Sequence, residues 1–237
     1  MKREKESGKI VVSKDGPYLV TGSVPLGTEA IVLDGDGIPY VWKKKRKYPD
    51  GESYSLCHCG RSADQPYCDG SHTVVSFDGT ETAEREPFAA LADSVTEGPE
   101  LELADAKALC ANARFCGRKG GVWNLTRNSG DPETKRLAIE QVGNCPAGRL
   151  VATDRMSGTV CKPDFPAALS IVEDPVAAGR GPIWVKGGVP VESSDGYGYE
   201  RRNRVTLCRC GKSGNKPLCD GAHTRADFDE ENRSIPG

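Results

Sequence analysis

The sequence contains no apolar run near the roughly 20 residues that a membrane-spanning helix needs. It is also poor in aromatic residues (6%) and histidine (3), and only 37% of its 237 residues are hydrophobic. We therefore expect a soluble protein with modest cores, divided into small domains. The segment Met1–Gly8 has no apolar stretch and does not predict a signal peptide, so a reducing, cytoplasmic compartment is expected.

The charges are nearly balanced, with 32 basic and 34 acidic residues. This balance gives no reason to expect nucleic-acid binding. The one basic run, Lys43–Lys47, lies between apolar residues typical of a strand. Lysines commonly protect strand edges, so the run predicts an edge strand and receives no site role.

Cysteine, by contrast, is abundant, and two sixteen-residue stretches, 57–72 and 208–223, share one pattern of three cysteines and a histidine. Nine of the sixteen positions are identical. Thiolates and imidazole are ligands for zinc or iron-sulfur centres, and they differ from the oxygen ligands of calcium or magnesium. The candidate ligands are Cys57, Cys59, Cys68 and His72 in the first stretch, and Cys208, Cys210, Cys219 and His223 in the second.

The spacing of these ligands distinguishes a zinc site from an iron-sulfur centre. Zinc fingers usually place two to four residues between paired cysteines, whereas one residue separates Cys57 from Cys59. This favours an iron-sulfur cluster, with a structural zinc site as the rival. Cys68 and His72 are four residues apart, about one helical turn, and Asp69 between them is interpreted as a helix cap, not a ligand.

Both stretches fit the pattern C-x-C-x2-S-x3-P-x-C-D-G-x-H, which resembles the CDGSH iron-sulfur family (mitoNEET-like). The resemblance implies a 2Fe-2S cluster held by three cysteines and one histidine in each repeat. Some relatives are homodimers that exchange cap strands, and others carry two copies in one monomer. This chain resembles the tandem kind, which implies a monomer whose repeats pair as a pseudo-twofold unit, without a membrane anchor.

The repeat extends upstream of the ligands, because 16–26 parallels 181–191 at six of eleven positions. The predicted fold is β-rich α+β, with two small β-cap and cluster-binding modules on either side of an α+β insert. We place the first module at 9–81, the insert at 82–172 and the second module at 173–237. The first module carries 14 extra residues that predict a strand and turn.

The insert changes to alanine- and leucine-rich sequence with helical spacing. One predicted helix presents Leu103, Ala106, Cys110 and Ala113 on a single face. A second begins at Asp131-Pro132 and ends at Gly143. Segments 149–153 and 168–172 predict strands, and a ferredoxin-like module is expected.

A third candidate site lies in the insert at Cys110, Cys116 and Cys145, the last followed by Pro146. The spacing resembles that of divergent single-cluster ferredoxins, with Ala113 in place of the middle cysteine. Three thiolates suit a 3Fe-4S cluster, and Cys161 would complete a 4Fe-4S set if it supplied a fourth. The alternative is that these cysteines are small buried apolar residues.

Two further predictions concern residues beside the ligands. His58 is expected to be an exposed modulator, because Arg209 occupies the equivalent position in the second repeat. Ser62 and Ser213 either donate hydrogen bonds to cluster sulfur or are ordinary turn residues.

The sequence shows no catalytic triad, phosphate loop or paired-carboxylate pocket, so we expect a non-enzymatic protein. Electron transfer is the expected function, and cluster storage or transfer, or redox sensing, is the alternative. The expected partner is a redox protein or an apo iron-sulfur acceptor, with no nucleic acid and no membrane.

Overall fold

The computed structural model describes residues 8–225, and the chain has a β-rich α+β fold. The strands are Lys9–Val12 (β1), Tyr18–Thr21 (β2), Leu26–Leu33 (β3), Pro39–Lys47 (β4), Ser53–Leu56 (β5), Ser94–Glu97 (β6), Leu101–Asp105 (β7), Leu150–Asp154 (β8), Val160–Cys161 (β9), Ala168–Glu173 (β10), Ile183–Lys186 (β11), Val191–Glu192 (β12) and Arg204–Leu207 (β13). The α-helices are Ser71–Val74 (α1), Phe88–Leu91 (α2), Val122–Arg127 (α3) and Pro132–Asn144 (α4). Short 3₁₀ turns lie at Lys107–Leu109, Phe115–Gly120, Pro175–Ala177 and Ala222–Thr224. Within residues 8–225, no helix is both long and apolar enough to cross a membrane.

Two sheets contain strands from both ends of the chain. One has the order β12-β1-β2-β5, and the other has the order β13-β11-β10-β3-β4. β12 pairs in parallel with β1, and β3 pairs in parallel with β10. The second repeat therefore donates β12 to the first sheet, and the first repeat donates β3 and β4 to the second.

Equivalent hydrogen bonds fix both parallel pairs. The N–H of Ile10 donates to the carbonyl of Pro190 (2.9 Å), and the N–H of Leu169 donates to that of Pro25 (2.8 Å). Pro25 and Pro190 occupy the same place in the sequence repeat. β10 crosses the predicted boundary between insert and second module at residues 172 and 173, and it lies in the sheet with β3 and β11.

The largest apolar core lies between the two shared sheets, and its residues come from the whole chain. Ile10 and Leu26 pack there with Leu169, Ile183 and Leu207, each 5% exposed or less. Fully burying a side chain of this size is worth about 1.5–3 kcal/mol. Because the contacts join the two repeats, this stabilisation depends on their association.

A buried ion pair also joins the two repeats. Lys186 on β11 pairs with Glu29 on β3, and both residues are 7% exposed. The hydroxyl of Ser170 on β10 donates to the same carboxylate (2.9 Å). The ion pair therefore requires β3 to lie in the same sheet as β10 and β11.

The first module differs from the second by its β3–β4 hairpin, which accounts for the predicted extra strand and turn. β4 carries the lysine run and is an edge strand of its sheet, as the run predicts.

The insert forms an antiparallel sheet of order β6-β7-β8-β9 against α3 and α4. α4 begins as predicted, with the Asp131 carboxylate accepting from the N–H of Thr134 (2.8 Å), and it runs one residue beyond Gly143. The strand predictions at 149–153 and 168–172 match β8 and β10 within one residue at each end.

The prediction of a helix through Leu103, Ala106, Cys110 and Ala113 is wrong. Leu103 lies on β7, and the segment after Ala106 is a 3₁₀ turn followed by a loop. Leu101, Leu103 and Asp105 are buried while Glu102 is exposed, so the period along the segment is two. Pairing with β6 and β8 on either side favours the strand.

Candidate metal centres

The first ligand loop begins where β5 ends. The N–H of Cys57 donates to the carbonyl of Pro66 (2.9 Å), and the N–H of Cys68 donates to that of Ser55 (3.0 Å). These bonds bring the four predicted ligands together as two pairs. The sulfur atoms of Cys57 and Cys59 are 3.7 Å apart, and Sγ of Cys68 is 3.3 Å from Nδ1 of His72.

The second ligand loop has the same construction. The N–H of Cys208 donates to the carbonyl of Pro217 (2.8 Å), and the N–H of Cys219 donates to that of Thr206 (2.9 Å). The sulfur atoms of Cys208 and Cys210 are 3.7 Å apart, and Sγ of Cys219 is 3.4 Å from Nδ1 of His223. Separate segments of one chain thus reach the same arrangement.

The aspartate of each motif binds backbone N–H groups but does not cap the helix as predicted. Asp69 accepts from the N–H groups of Ser71 (2.9 Å) and Ala63 (2.8 Å), which lowers its pKa to about 2. Gly70 occupies the formal N-cap position of α1. Asp220 accepts equivalent bonds in the second loop, from Ala222 (2.9 Å) and Gly214 (3.0 Å). Both carboxylates therefore brace the loop that carries the ligands.

Each pair has the separation of two ligands on one metal ion. Two sulfurs bonded at about 2.3 Å to one tetrahedral metal lie about 3.8 Å apart, and a sulfur and an imidazole nitrogen lie about 3.6 Å apart. Within residues 8–225, no group of three or more His, Cys, Asp or Glu side chains converges as it would around a single ion. The separations within the pairs are shared by a mononuclear zinc site and by a 2Fe-2S cluster, which takes two ligands on each iron.

Backbone N–H groups surround the thiolates. Gly60 donates to Sγ of Cys57 (3.3 Å), Arg61 to that of Cys59 (3.4 Å), and Gly221 to that of Cys219 (3.4 Å). A hydrogen bond from Cys59 lowers the pKa of Cys57 to about 6, against the effect of burial, and N–H groups of the loop add to the lowering. The same hydrogen bond raises the pKa of Cys59, so Cys57 is the thiolate of the pair that the loop favours.

The two ligand sets differ in exposure. Cys68 and His72 are half-buried, whereas Cys219 is 3% and His223 is 5% exposed. Burial lowers the pKa of His223. The difference is confined to the Cys-His halves, because Cys57 and Cys59 are buried and Cys210 is half-buried.

The two ligand loops touch each other through glycines. Gly60 has φ +78°, and a Cβ there would lie 2.9 Å from the carbonyl oxygen of Cys210. Gly211 has φ +72°, and a Cβ there would lie 2.5 Å from the carbonyl oxygen of Cys59. The contact is therefore reciprocal, and it requires glycine on both sides.

His58 is not the exposed residue that we predicted. It is 1% exposed, its ring stacks on Tyr18 (4.5 Å between centroids), and its edge meets Phe77 (4.8 Å). The Tyr18 hydroxyl in turn donates to the carbonyl of Cys208 (2.8 Å). Tyr18 and Phe77 of the same module cover the ring, and the sequence gives no direct signal of this packing.

Ser62 and Ser213 have the geometry of turn residues. Their hydroxyls donate to the carbonyls of Tyr67 (2.6 Å) and Leu218 (2.7 Å). Backbone N–H groups of the same serines hydrogen-bond to Cys57 and Cys208 and help to lower the pKa of each thiol. The main chain, rather than the hydroxyl, faces the sulfur.

The three predicted cysteines of the insert, Cys110, Cys116 and Cys145, line one cavity together with Ala113 and Arg149. Burial, and then the charge of Cys145, raises the pKa of Cys116 to about 11. Cys161 does not line this cavity. It lies on β9, where its charged neighbours are Asp154 and Lys135.

The insert site also touches the second ligand loop. Cys219 packs with Ala111, Ala147 and Cys145. A Cβ at Gly221 would lie 3.0 Å from the carbonyl oxygen of Cys110, and the charge of Cys110 adds to the burial that raises the pKa of Cys219. The second ligand set therefore lies between the insert site and the first set.

Comparison with known proteins agrees with these three sites. The model of the iron-binding zinc finger CDGSH type matches residues 15–73 and 180–224, and the model of the divergent 4Fe-4S mono-cluster matches 96–155. Two CDGSH-type regions thus flank a divergent 4Fe-4S region. This confirms the resemblance seen in the sequence and supports iron-sulfur binding.

The eleven predicted ligands all fall within the matched ranges, and Cys161 falls outside them. The roles of individual ligands stay predictions. No curated protein and no solved structure matched the chain.

Proposed function

We propose that this protein is a non-enzymatic electron carrier with two CDGSH-type 2Fe-2S clusters and one 3Fe-4S or 4Fe-4S cluster. The observation that carries the proposal is the spatial order of the ligand sets, in which the set of the second module lies between that of the insert and that of the first module. Cys219 packs against the insert site, and Gly60 and Gly211 join the two CDGSH loops. When bound, each cluster would supply a centre that accepts and releases single electrons.

The ligand assignment rests on the paired donors. In each CDGSH loop, the two cysteines separated by one residue would bind one iron, and the Cys-His pair would bind the other. Separations of 3.3–3.7 Å within the pairs fit two ligands on one metal ion, and the single residue between the paired cysteines favours a two-iron cluster over zinc. In the insert, Cys110, Cys116 and Cys145 would hold the third cluster in the cavity that they line.

The polypeptide contributes position and protection. The reciprocal glycine contact holds the two CDGSH loops against each other, and the insert contacts the turn that carries His223, with Asn112 donating to Thr224 (2.7 Å). Exchange of β3 and β12 supports the pseudo-twofold pairing of the modules within one monomer. Cap strands exchanged inside one chain place both ligand loops at a common interface.

A second candidate is transfer of a cluster to an apo iron-sulfur acceptor. The observation in its favour is the half-buried position of Cys68 and His72. An acceptor would reach the first ligand set, whereas the buried second set is shielded. Under either function the expected partner is another iron-sulfur or redox protein.

The test begins with iron, sulfide and zinc analysis of protein purified without air. Iron and sulfide in near-equal amounts are expected, and Cys68→Ser and Cys219→Ser should each remove one 2Fe-2S cluster. Stoichiometric zinc without visible absorbance would overturn the assignment. Stopped-flow reduction and reoxidation should then leave cluster content unchanged, whereas rapid appearance of the absorbance in an apo-ferredoxin would favour cluster transfer.

A further inference from the structure

His58 lies between two predicted ligands of the first module, yet its side chain points toward the second module. The ring is 1% exposed and packs between Tyr18 and Phe77. Tyr18 itself donates to the carbonyl of Cys208. His58 therefore belongs to the wall of the second ligand set.

Within residues 8–225, neither ring nitrogen of His58 meets the geometry of a hydrogen bond. Leaving a buried donor without a partner costs about 1–3 kcal/mol. The ring nevertheless approaches Cys208 closely enough to contribute to lowering the pKa of that thiol. A neutral imidazole always carries one N–H donor, so a metal-bound Cys208 thiolate would supply the missing acceptor.

Arg209, the equivalent residue of the second repeat, crosses in the opposite direction. Its guanidinium donates to the side-chain oxygen of Gln65 (3.1 Å) in the first module and to the carbonyl of Gly181 (3.0 Å). Gln65 hydrogen-bonds to Cys57 and helps to lower the pKa of that thiol. Cys57 is also the first thiolate whose charge acts on Arg209, followed by Cys210 of its own loop.

We propose that the side chain between the first two cysteines of each repeat tunes the cluster of the opposite repeat. His58 donates a hydrogen bond to Cys208, and Arg209 acts on Cys57 through Gln65. Hydrogen bonds and positive charge at the sulfur ligands stabilise the reduced, more negative cluster and raise its reduction potential. The inference rests on the proposed cluster binding, and it assigns both residues a positioning role at a ligand set that their place in the sequence does not indicate.

The test is a potentiometric titration of the holoprotein followed by EPR. The signals of the two 2Fe-2S clusters are assigned with His72→Cys and His223→Cys, each of which alters its own cluster. His58→Phe keeps an aromatic ring between Tyr18 and Phe77 and removes the donor. It should lower the midpoint potential at the second ligand set and leave the first unchanged.

Two further variants complete the design. His58→Gln restores an N–H donor and should recover part of the shift at the second set. Arg209→Gln should lower the midpoint at the first set more than at the second. If His58→Phe fails to bind its clusters, the midpoint potentials of Arg209→Gln alone test the proposal. An equal shift of the midpoint potential at both ligand sets in that variant, or no shift, overturns the proposal.

A shift confined to the first set in His58→Phe would also overturn the crossed assignment. Failure of the proposed cluster binding gives a different result, because wild-type protein would then contain no iron and show no EPR signal. Two clusters with midpoints insensitive to His58 and Arg209 would refute this inference alone.

Discussion

Substitution of Gly211 by alanine is expected to separate the two CDGSH loops and weaken both of their ligand sets. The new Cβ would lie 2.5 Å from the carbonyl oxygen of Cys59, which is backbone and cannot rotate away. Either loop must move, and each carries cysteine ligands beside the contact. A single methyl group in the second module should therefore loosen the first cluster as well.

The loss of stability expected in Gly211→Ala has two parts, backbone strain and overpacking. A non-glycine residue in the left-handed region costs about 1–2 kcal/mol. Overpacking at a rigid contact adds about 1–3 kcal/mol. Gly196 is the matched control, because it has φ +86° and a Cβ added there would meet nothing within 4 Å, so Gly196→Ala incurs only the first part.

For a domain of this size, 1 kcal/mol corresponds to about 2–4 °C in the unfolding midpoint. The midpoint of Gly211→Ala should thus lie about 2–12 °C below that of Gly196→Ala. The assay is heating of the holoprotein at one fixed scan rate, with visible absorbance for the clusters and far-ultraviolet circular dichroism for the fold. Equal midpoints in the two variants would refute the reasoning, because the loop contact would then contribute nothing.

Three other outcomes are expected. Cys145→Ala should abolish the EPR signal of the insert cluster, whereas Cys161→Ala should leave it intact, because Cys161 lies outside the cavity; loss of the signal in Cys161→Ala would contradict this. Protons compete with metal for imidazole, so both CDGSH clusters should be stable at neutral pH and lost as pH falls. The pKa of His223 is lowered by burial, so the second cluster should survive to lower pH than the first; absorbance against pH in His72→Cys and His223→Cys checks the order. Lys186→Met should destabilise the protein by about 3–5 kcal/mol by leaving the Glu29 carboxylate buried without its partner, and denaturation that matches wild type would disprove it.

The ligand loops and α4 were predictable because their signals are local. The duplicated cysteine spacing itself constrains the metal geometry, and Asp131-Pro132 specifies the start of α4 whatever packs against it. The segment after residue 100 was not predictable in this way. Its apolar residues fit both a helical period and the alternation of β7, and the neighbouring strands decided between them.

The contacts between modules were not predictable from the sequence, because they depend on how two separate loops pack against each other. Nothing local distinguishes a buried His58 from an exposed one, since the rings that cover it, Tyr18 and Phe77, lie elsewhere in the chain. One signal was available in the glycine that follows the second cysteine in both repeats, Gly60 and Gly211. A repeated glycine beside a ligand is consistent with a close backbone approach.

Strand exchange has a consequence for how this polypeptide can be divided. A fragment ending near residue 81 would contain β1 and β3 but neither of their parallel partners, β12 and β10. Both strands would then present unpaired edges, and part of the apolar core would be uncovered. A second copy of the fragment can supply the missing partner strands and cover the core. The isolated first module is therefore expected to form a strand-exchanged homodimer in which each copy supplies the parallel partner that the other lacks.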